Sequence, residues 1–189
     1  LFDLTGKVAV ITGGAGLLGY HHASAVLACG GTPVLLDIDE GELDRSKSRL
    51  QHAFGTSVPS LSCDITSSEA VRSAGDLVAA EFGGADILIN NAARNPKQEA
   101  GSQAMFSRLE SFPSEQWELD LAVGLTGAFH CAKVFGHQMA TSGRGGVIIN
   151  IASDLGVIAP DQRLYRVDNR DEEQQPVKPV SYSVVKHGL

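Results

Sequence analysis

Lys7-Val8-Ala9-Val10-Ile11-Thr12-Gly13-Gly14-Ala15-Gly16-Leu17-Leu18-Gly19 decides how this chain folds. Its first half is an apolar run rich in β-branched residues, which predicts a buried strand. The run breaks into glycines and continues as Leu17 to Ala28, a stretch of helical character. Gly14, Gly16 and Gly19 stand in G-x-G-x-x-G spacing. Each glycine has a task at such a turn: one makes the bend, one lets a pyrophosphate reach the backbone, and one lets helix and strand pack closely. The helix start then offers unpaired N–H groups and partial positive charge to phosphates. A strand before and a helix after make this a dinucleotide-site fingerprint. The residues expected around the cofactor here are Gly13, Gly14, Gly16, Leu17, Leu18 and Gly19.

Outward from that turn, strands and helices alternate. Thr32 to Asp37 reads as a second strand, and Asp39 to Ala53 as a helix with Asp39 and Glu42 as a cap pair. Ser57 to Ser62 is a weaker third strand. Thr66 and Glu69 form a capping box for a helix through Phe82, which Gly83-Gly84 stops. Ala85 to Asn90 is apolar enough for a strand buried on both faces. Arg94 to Phe112 reads as a polar loop, and a long helix runs from about Ser114 to Met139. Gly145 to Ala152 is a fifth strand, Asp161 to Lys178 a charged stretch, and a last helix starts near Ser181. The expected class is α/β: a Rossmann-type, doubly wound parallel sheet with helices on both faces. Residues 1–189 are expected to form a single domain with a loop insertion over 157–178.

Composition narrows the function. At 43% hydrophobic the chain can bury a substantial core. A formal charge of −7 argues against a broad nucleic-acid or anionic-membrane surface, so a small-molecule partner is expected. Cys29, Cys63 and Cys131 are odd in number and lack C-x-x-C spacing, which indicates neither a disulfide framework nor a zinc site. His130, His137 and His187 have no metal-ligand spacing, and His21 and His22 read as surface or packing residues. No apolar run reaches membrane-spanning length, and no signal peptide is visible. The expected location is the cytoplasm.

Two further features carry chemistry. Asp37 ends the second strand, 18 residues past Gly19, where a carboxylate accepts hydrogen bonds from adenosine ribose hydroxyls. A carboxylate there repels a 2′-phosphate, and neither Gly14 nor Ile38 beside it brings a cation, so NAD is expected over NADP. Tyr182 and Lys186, four residues apart, share one helix face. A phenol titrates near 10, and a nearby cation favours the phenolate, making a proton donor and acceptor for an alcohol or ketone.

In this order, Thr12-Gly13 with the glycine turn, Asp37, Cys63-Asp64-Ile65-Thr66, Asn90-Asn91-Ala92-Ala93, Asn150-Ile151-Ala152-Ser153 and Tyr182 with Lys186 resemble the short-chain dehydrogenase/reductase family. The resemblance implies an NAD(P)-dependent oxidoreductase interconverting a secondary alcohol and a ketone. By position, it implies that Ser153 holds the substrate oxygen, Tyr182 moves the proton, and Lys186 binds the nicotinamide ribose and tunes the phenol. Asp64 and Ile65 would flank the adenine, while Asn90, Asn91, Ala92 and Ala93 would line the cofactor cleft. The family is usually oligomeric, which implies a homodimer or homotetramer. A finer similarity, from Val123 to Phe129 and from Ala152 to Gln162, is to a bacterial branch associated with surface-sugar and flagellin-glycan biosynthesis.

The sequence departs from the family at several places. Leu17 and Ala93 stand where glycine is commoner, and Gly124 stands where the family has an asparagine that anchors a water relay. Tyr182 lies 29 residues beyond Ser153, a long interval. Tyr165 is nearer, but the residue four beyond it is Asn169, so Tyr182 is the expected catalytic tyrosine. The family has two more strands and a substrate loop after this helix, so the chain is expected to be incomplete at its C-terminus. Gly124 keeps open a non-catalytic dinucleotide-binding or scaffold protein. The alternative spacing Gly13-x-x-Gly16-x-x-Gly19 keeps open a sugar epimerase or dehydratase with tightly held NAD.

Overall fold

The computed structural model describes residues 2–94 and 107–189. Five strands, β1 (Val8–Thr12), β2 (Thr32–Asp37), β3 (Ser60–Ser62), β4 (Ile87–Asn90) and β5 (Val147–Asn150), form one parallel sheet in the order β3-β2-β1-β4-β5. The order reverses at β1, whose neighbours are β2 and β4. In an open parallel sheet this reversal leaves a crevice beyond the carboxyl ends of β1 and β4. The glycine turn follows β1 directly and therefore opens there.

Every residue of β1 is buried, as its unbroken apolar run requires for a central parallel strand. Helices α1 (Leu17–Ala28) and α2 (Glu40–Phe54) pack on one another and on β1 to β3. Ile11, Ala23, Leu35, Leu43, Leu50, Val58 and Ile89 form the core beneath them. Helix α3 (Ser68–Phe82) packs against α5 (Gly127–Thr141), which also covers β4 and β5. Right-handed crossovers assign the two helix pairs to opposite faces of the sheet, the doubly wound arrangement. Asp86 braces the other end of β4. Its carboxylate accepts from the Val8 N–H at 3.0 Å and pairs with Lys7 at 3.5 Å and Arg144 at 3.6 Å.

Asp39 caps α2 by accepting from the Glu42 N–H, and Gly83 ends α3 in the left-handed conformation. The start of α3 differs from expectation. The Asp64 carboxylate takes both the Thr66 N–H and the Thr66 hydroxyl, which holds Thr66 in the preceding turn. Ser67 is the cap instead, accepting from the Ala70 N–H at 3.2 Å. Helix α4 (Ser114–Leu121) starts at Ser114 as expected, with Pro113 before it. The long helix expected to Met139 is interrupted by a π-helical turn over Ala122–Thr126 before α5. Of the loop expected from Arg94 to Phe112, residues 95–106 lie outside the described residues.

The chain divides into two compact units. The first comprises residues up to Ala92 with Thr126–Ile151 and contains the whole sheet. The second comprises Ala93–Leu125 and Ala152–Leu189. It holds α4, most of the π-helical turn, three short 3-10 turns after Ala152 and the final helix α6 (Val180–Gly188). In this unit the turn Asp154–Gly156 packs on α6, and Ser181 donates to the Asp120 carboxylate at 2.6 Å, tying α6 to α4. No helix among the described residues is long and apolar enough to cross a membrane.

Candidate active site

The first unit carries the glycine turn. Gly13 has φ +61, which a residue with a side chain rarely adopts. A Cβ there would also lie 2.9 Å from the Ala92 Cα, so Gly13 lets the turn pack on the strand end after β4. A Cβ on Gly19 would stand 2.2 Å from the Gly13 carbonyl oxygen, so the third glycine fixes how closely α1 approaches the turn. Thr12 and Asn91 lock the two strand ends together. The Thr12 hydroxyl accepts from the N–H groups of Asn91 and Ala92, each at 3.1 Å. The Asn91 amide donates back to the carbonyls of Thr12 at 2.9 Å and Gly13 at 3.1 Å. Asn91 thus holds the turn in shape with its side chain.

Helix α1 begins at Gly16 with no side-chain cap and no acidic residue in its first turn. Its first N–H groups have no partner within the helix, and its positive end is uncompensated. This is what a pyrophosphate requires, so the cradle fits a dinucleotide. Leu17, Leu18 and Ile38 around it are exposed apolar side chains.

Asp37 sits at the end of β2 beside the turn. One carboxylate oxygen accepts from the Ala15 N–H at 3.1 Å and the other from the Asp39 N–H at 3.2 Å. A carboxylate has about four lone-pair sites, so capacity remains for ribose hydroxyls. Asp64 is committed to Thr66. Ile65 is buried against Gly127, where an added Cβ would lie 2.7 Å from its side chain, and its carbonyl meets His130 Nδ1 at 3.1 Å. The exposed edge at this position therefore belongs to Asp64 rather than to the Ile65 side chain.

The second unit carries Tyr165 and Tyr182. Tyr182 and Lys186 line a cavity of about 440 Å³, together with Tyr165, Arg94, Asp120 and Lys178. The Lys186 ammonium lies 6.0 Å from the Tyr182 ring centroid and that of Lys178 lies 3.7 Å over the same ring. Burial pushes both ammonium groups below the ordinary lysine range. Tyr165 reaches the cavity from a short 3-10 turn, not from a regular helix. Ser153 is not among the residues lining this cavity. Its hydroxyl donates to Asp154 at 2.9 Å and accepts from the Leu155 N–H at 3.2 Å, capping the turn Asp154–Gly156. That turn lies against α6, because a Cβ on Gly156 would be only 2.5 Å from the Lys186 carbonyl.

Gly124 lies in the π-helical turn, and Val185 packs onto it. The position where an asparagine would stand is filled by the neighbouring helix.

The short chain dehydrogenase family profile matches residues 7–165, more than half of the chain. The chain belongs to that family. Among its short-chain dehydrogenase relatives, it is 32% identical over 163 residues to a D-threitol dehydrogenase of Mycolicibacterium smegmatis, covering 86% of this chain and 58% of that protein. It is also 32% identical over 163 residues to a D-beta-hydroxybutyrate dehydrogenase of Cupriavidus necator, covering 85% and 58%. The fold is similar to that of an NAD+-bound xylitol dehydrogenase, with a TM-score of 0.79 at 30% identity, covering 98% of this chain and 61% of that one. The chain therefore spans about three-fifths of the length of these short-chain dehydrogenases.

Sequence reasoning overlooked Arg94, Asp120, Lys178 and Ser181, which share the tyrosine cavity. Lys178 precedes Pro179, the residue before α6, so it lies outside the helix that carries Tyr182 and Lys186 and helical spacing does not reveal it. Arg94 and Asp120 gave no signal either, since only packing of the second unit brings them to α6.

Proposed function

We propose that this chain is part of an NAD-dependent oxidoreductase that interconverts a secondary alcohol and a ketone. The pairing of Tyr182 with Lys186 in one cavity carries this reading. The uncapped start of α1 and the carboxylate of Asp37 support NAD as the cofactor. In this reading the N–H groups of Leu17 and Leu18 hold the pyrophosphate, and Asp37 holds the adenosine ribose and disfavours a 2′-phosphate.

Bound NAD supplies the hydride acceptor for alcohol oxidation and, when reduced, the donor for the reverse. The chain's own residues manage the proton. Tyr182 Oη takes the proton of the alcohol hydroxyl during oxidation and returns it during reduction. Lys186 stabilises the phenolate form of Tyr182 through its charge and holds the nicotinamide ribose. Ser153 orients the substrate oxygen, exchanging its local bond to Asp154 for one to the substrate. The proposed site residues are thus Ser153, Tyr182 and Lys186, with Gly13, Gly14, Gly16, Gly19 and Asp37 toward the cofactor. Polyols and hydroxy acids, the compound classes named for two relatives, come first in a substrate screen, and keto-sugars second.

The valine-filled surroundings of Gly124 favour one other reading, a dinucleotide-binding protein without turnover. Tyr182→Phe separates the two. The expected outcome is loss of alcohol oxidation with NAD affinity retained in a calorimetric titration. Full activity in that variant overturns the assignment of Tyr182. NAD binding without turnover of any alcohol or ketone by the wild type supports the non-catalytic reading.

A further inference from the structure

The tyrosine cavity has an unusual charge balance. Among its described lining residues are three cations, Arg94, Lys178 and Lys186, and a single carboxylate, Asp120. That carboxylate is already committed. It accepts from the Ser181 hydroxyl at 2.6 Å and from the Gln116 amide at 2.6 Å, and it faces Arg94 at 3.9 Å. Arg94 Nη1 is buried without a hydrogen-bond partner among the described residues. Lys178 has no carboxylate within ion-pair distance among the described residues and rests its ammonium over the Tyr182 ring.

A desolvated cation without a matching anion, as Lys178 is among the described residues, is costly, and an anion that enters the cavity removes that cost. Burial alone pushes the Lys178 ammonium down, as expected for a cation awaiting a partner. The start of α6 adds to the same field, for Pro179 gives it no side-chain cap and its first turn has no acidic residue. Phe112, Pro113, Val177 and Val185 give the wall an apolar part, beside the polar side chains of Gln116, Tyr165 and Ser181. The apolar part suits a short carbon skeleton.

We propose that this cavity takes a substrate bearing a carboxylate, bound by Lys178 and Arg94, so that the alcohol or ketone processed at Tyr182 belongs to a small hydroxy or keto acid. The assignment rests on the oxidoreductase reading above. It makes Lys178 and Arg94 determinants of specificity and gives them no part in proton transfer.

Calorimetric titration of the chain with 3-hydroxybutyrate and with 1,3-butanediol, with and without NAD, tests it. The two probes share a carbon skeleton and differ by a carboxylate. The acid is expected to bind at least about tenfold more tightly, the scale of one charge-assisted hydrogen bond. Lys178→Gln and Arg94→Gln should each weaken acid binding by about tenfold while leaving the diol unchanged. Lys178→Arg should keep most of it, because it keeps the charge. Circular dichroism melting of each variant verifies that it is folded. Equal affinity for acid and diol, or no acid binding by the folded wild type, overturns the proposal. Failure of the parent reading looks different: acid binding persists while NAD neither binds nor is reduced. Conversely, NAD-linked turnover of neutral alcohols with no preference for the acid keeps the oxidoreductase reading and rejects the carboxylate pocket.

Discussion

Val185 occupies the space that any side chain at position 124 would need. A Cβ on Gly124 would lie 2.3 Å from Val185 Cγ1 and 3.1 Å from Cγ2. The absence of asparagine is therefore coupled to a particular packing of α6, and the two residues must change together.

That coupling gives a stability prediction. Gly124→Asn gains a few tenths of a kcal/mol in helix propensity. Overpacking of a filled interface costs about 1–3 kcal/mol and dominates. The variant should unfold at lower denaturant, and adding Val185→Ala should recover part of the loss. Strictly additive effects in the double mutant would show that the two side chains do not compete for one space.

Asp37 offers a second test. Its carboxylate braces the Ala15 and Asp39 N–H groups and is also the proposed ribose acceptor. Replacing Asp37 with Ala and Ile38 with Arg should move the ratio of NAD to NADP affinity toward NADP by about tenfold or more, the scale of one charge-assisted hydrogen bond. Parallel titrations with the two dinucleotides measure the ratio. An unchanged ratio would reduce Asp37 to a brace for the turn.

The three cysteines should differ sharply in reactivity. Burial pushes the Cys63 thiol up to about 11 and the Cys131 thiol up to about 12. The thiolate is the reactive form, so both should be nearly inert at pH 8 in the folded chain. Cys29 is only half-buried. An aromatic disulfide reagent should titrate one thiol promptly and all three after denaturation. Prompt reaction of two or three would mean that the α3–α5 side of the sheet opens readily.

His22 should make stability depend on pH. Partial burial, with a smaller effect from the neighbouring His21, holds its imidazole below the ordinary value. The unfolded chain therefore binds the proton first, near pH 6.5. Stability is unaffected above that pH and declines as pH falls from there toward the folded-state value. His22→Asn should flatten this part of a plot of unfolding midpoint against pH. A hydrogen bond with the Asn91 side chain works in the opposite direction, so the change should be small. Parallel plots for the two proteins would exclude the effect.

The alternation of apolar runs with helical stretches, and the glycines after Thr12, were enough to determine a parallel Rossmann-type sheet with a glycine turn at the carboxyl end of its central strand. Both signals are local: a central strand must be apolar throughout, and a tight turn beneath a helix must be glycine. The placement of Asp37 at a strand end and of Tyr182 and Lys186 on one helix was legible for the same reason, since each is defined by its distance along a strand or helix. The limits appeared one residue at a time. Thr66 and Ser67 are equally good caps in the sequence, and only the Asp64 carboxylate, by taking Thr66, selects Ser67. Gly124 stood out in the sequence only as a departure from the family, and tertiary packing alone shows Val185 fitted against it. Arg94, Asp120 and Lys178 are separated by long intervals of sequence, and no periodicity links them. Their shared cavity, and the surplus of positive charge within it, exists only once the segments of the second unit have packed together.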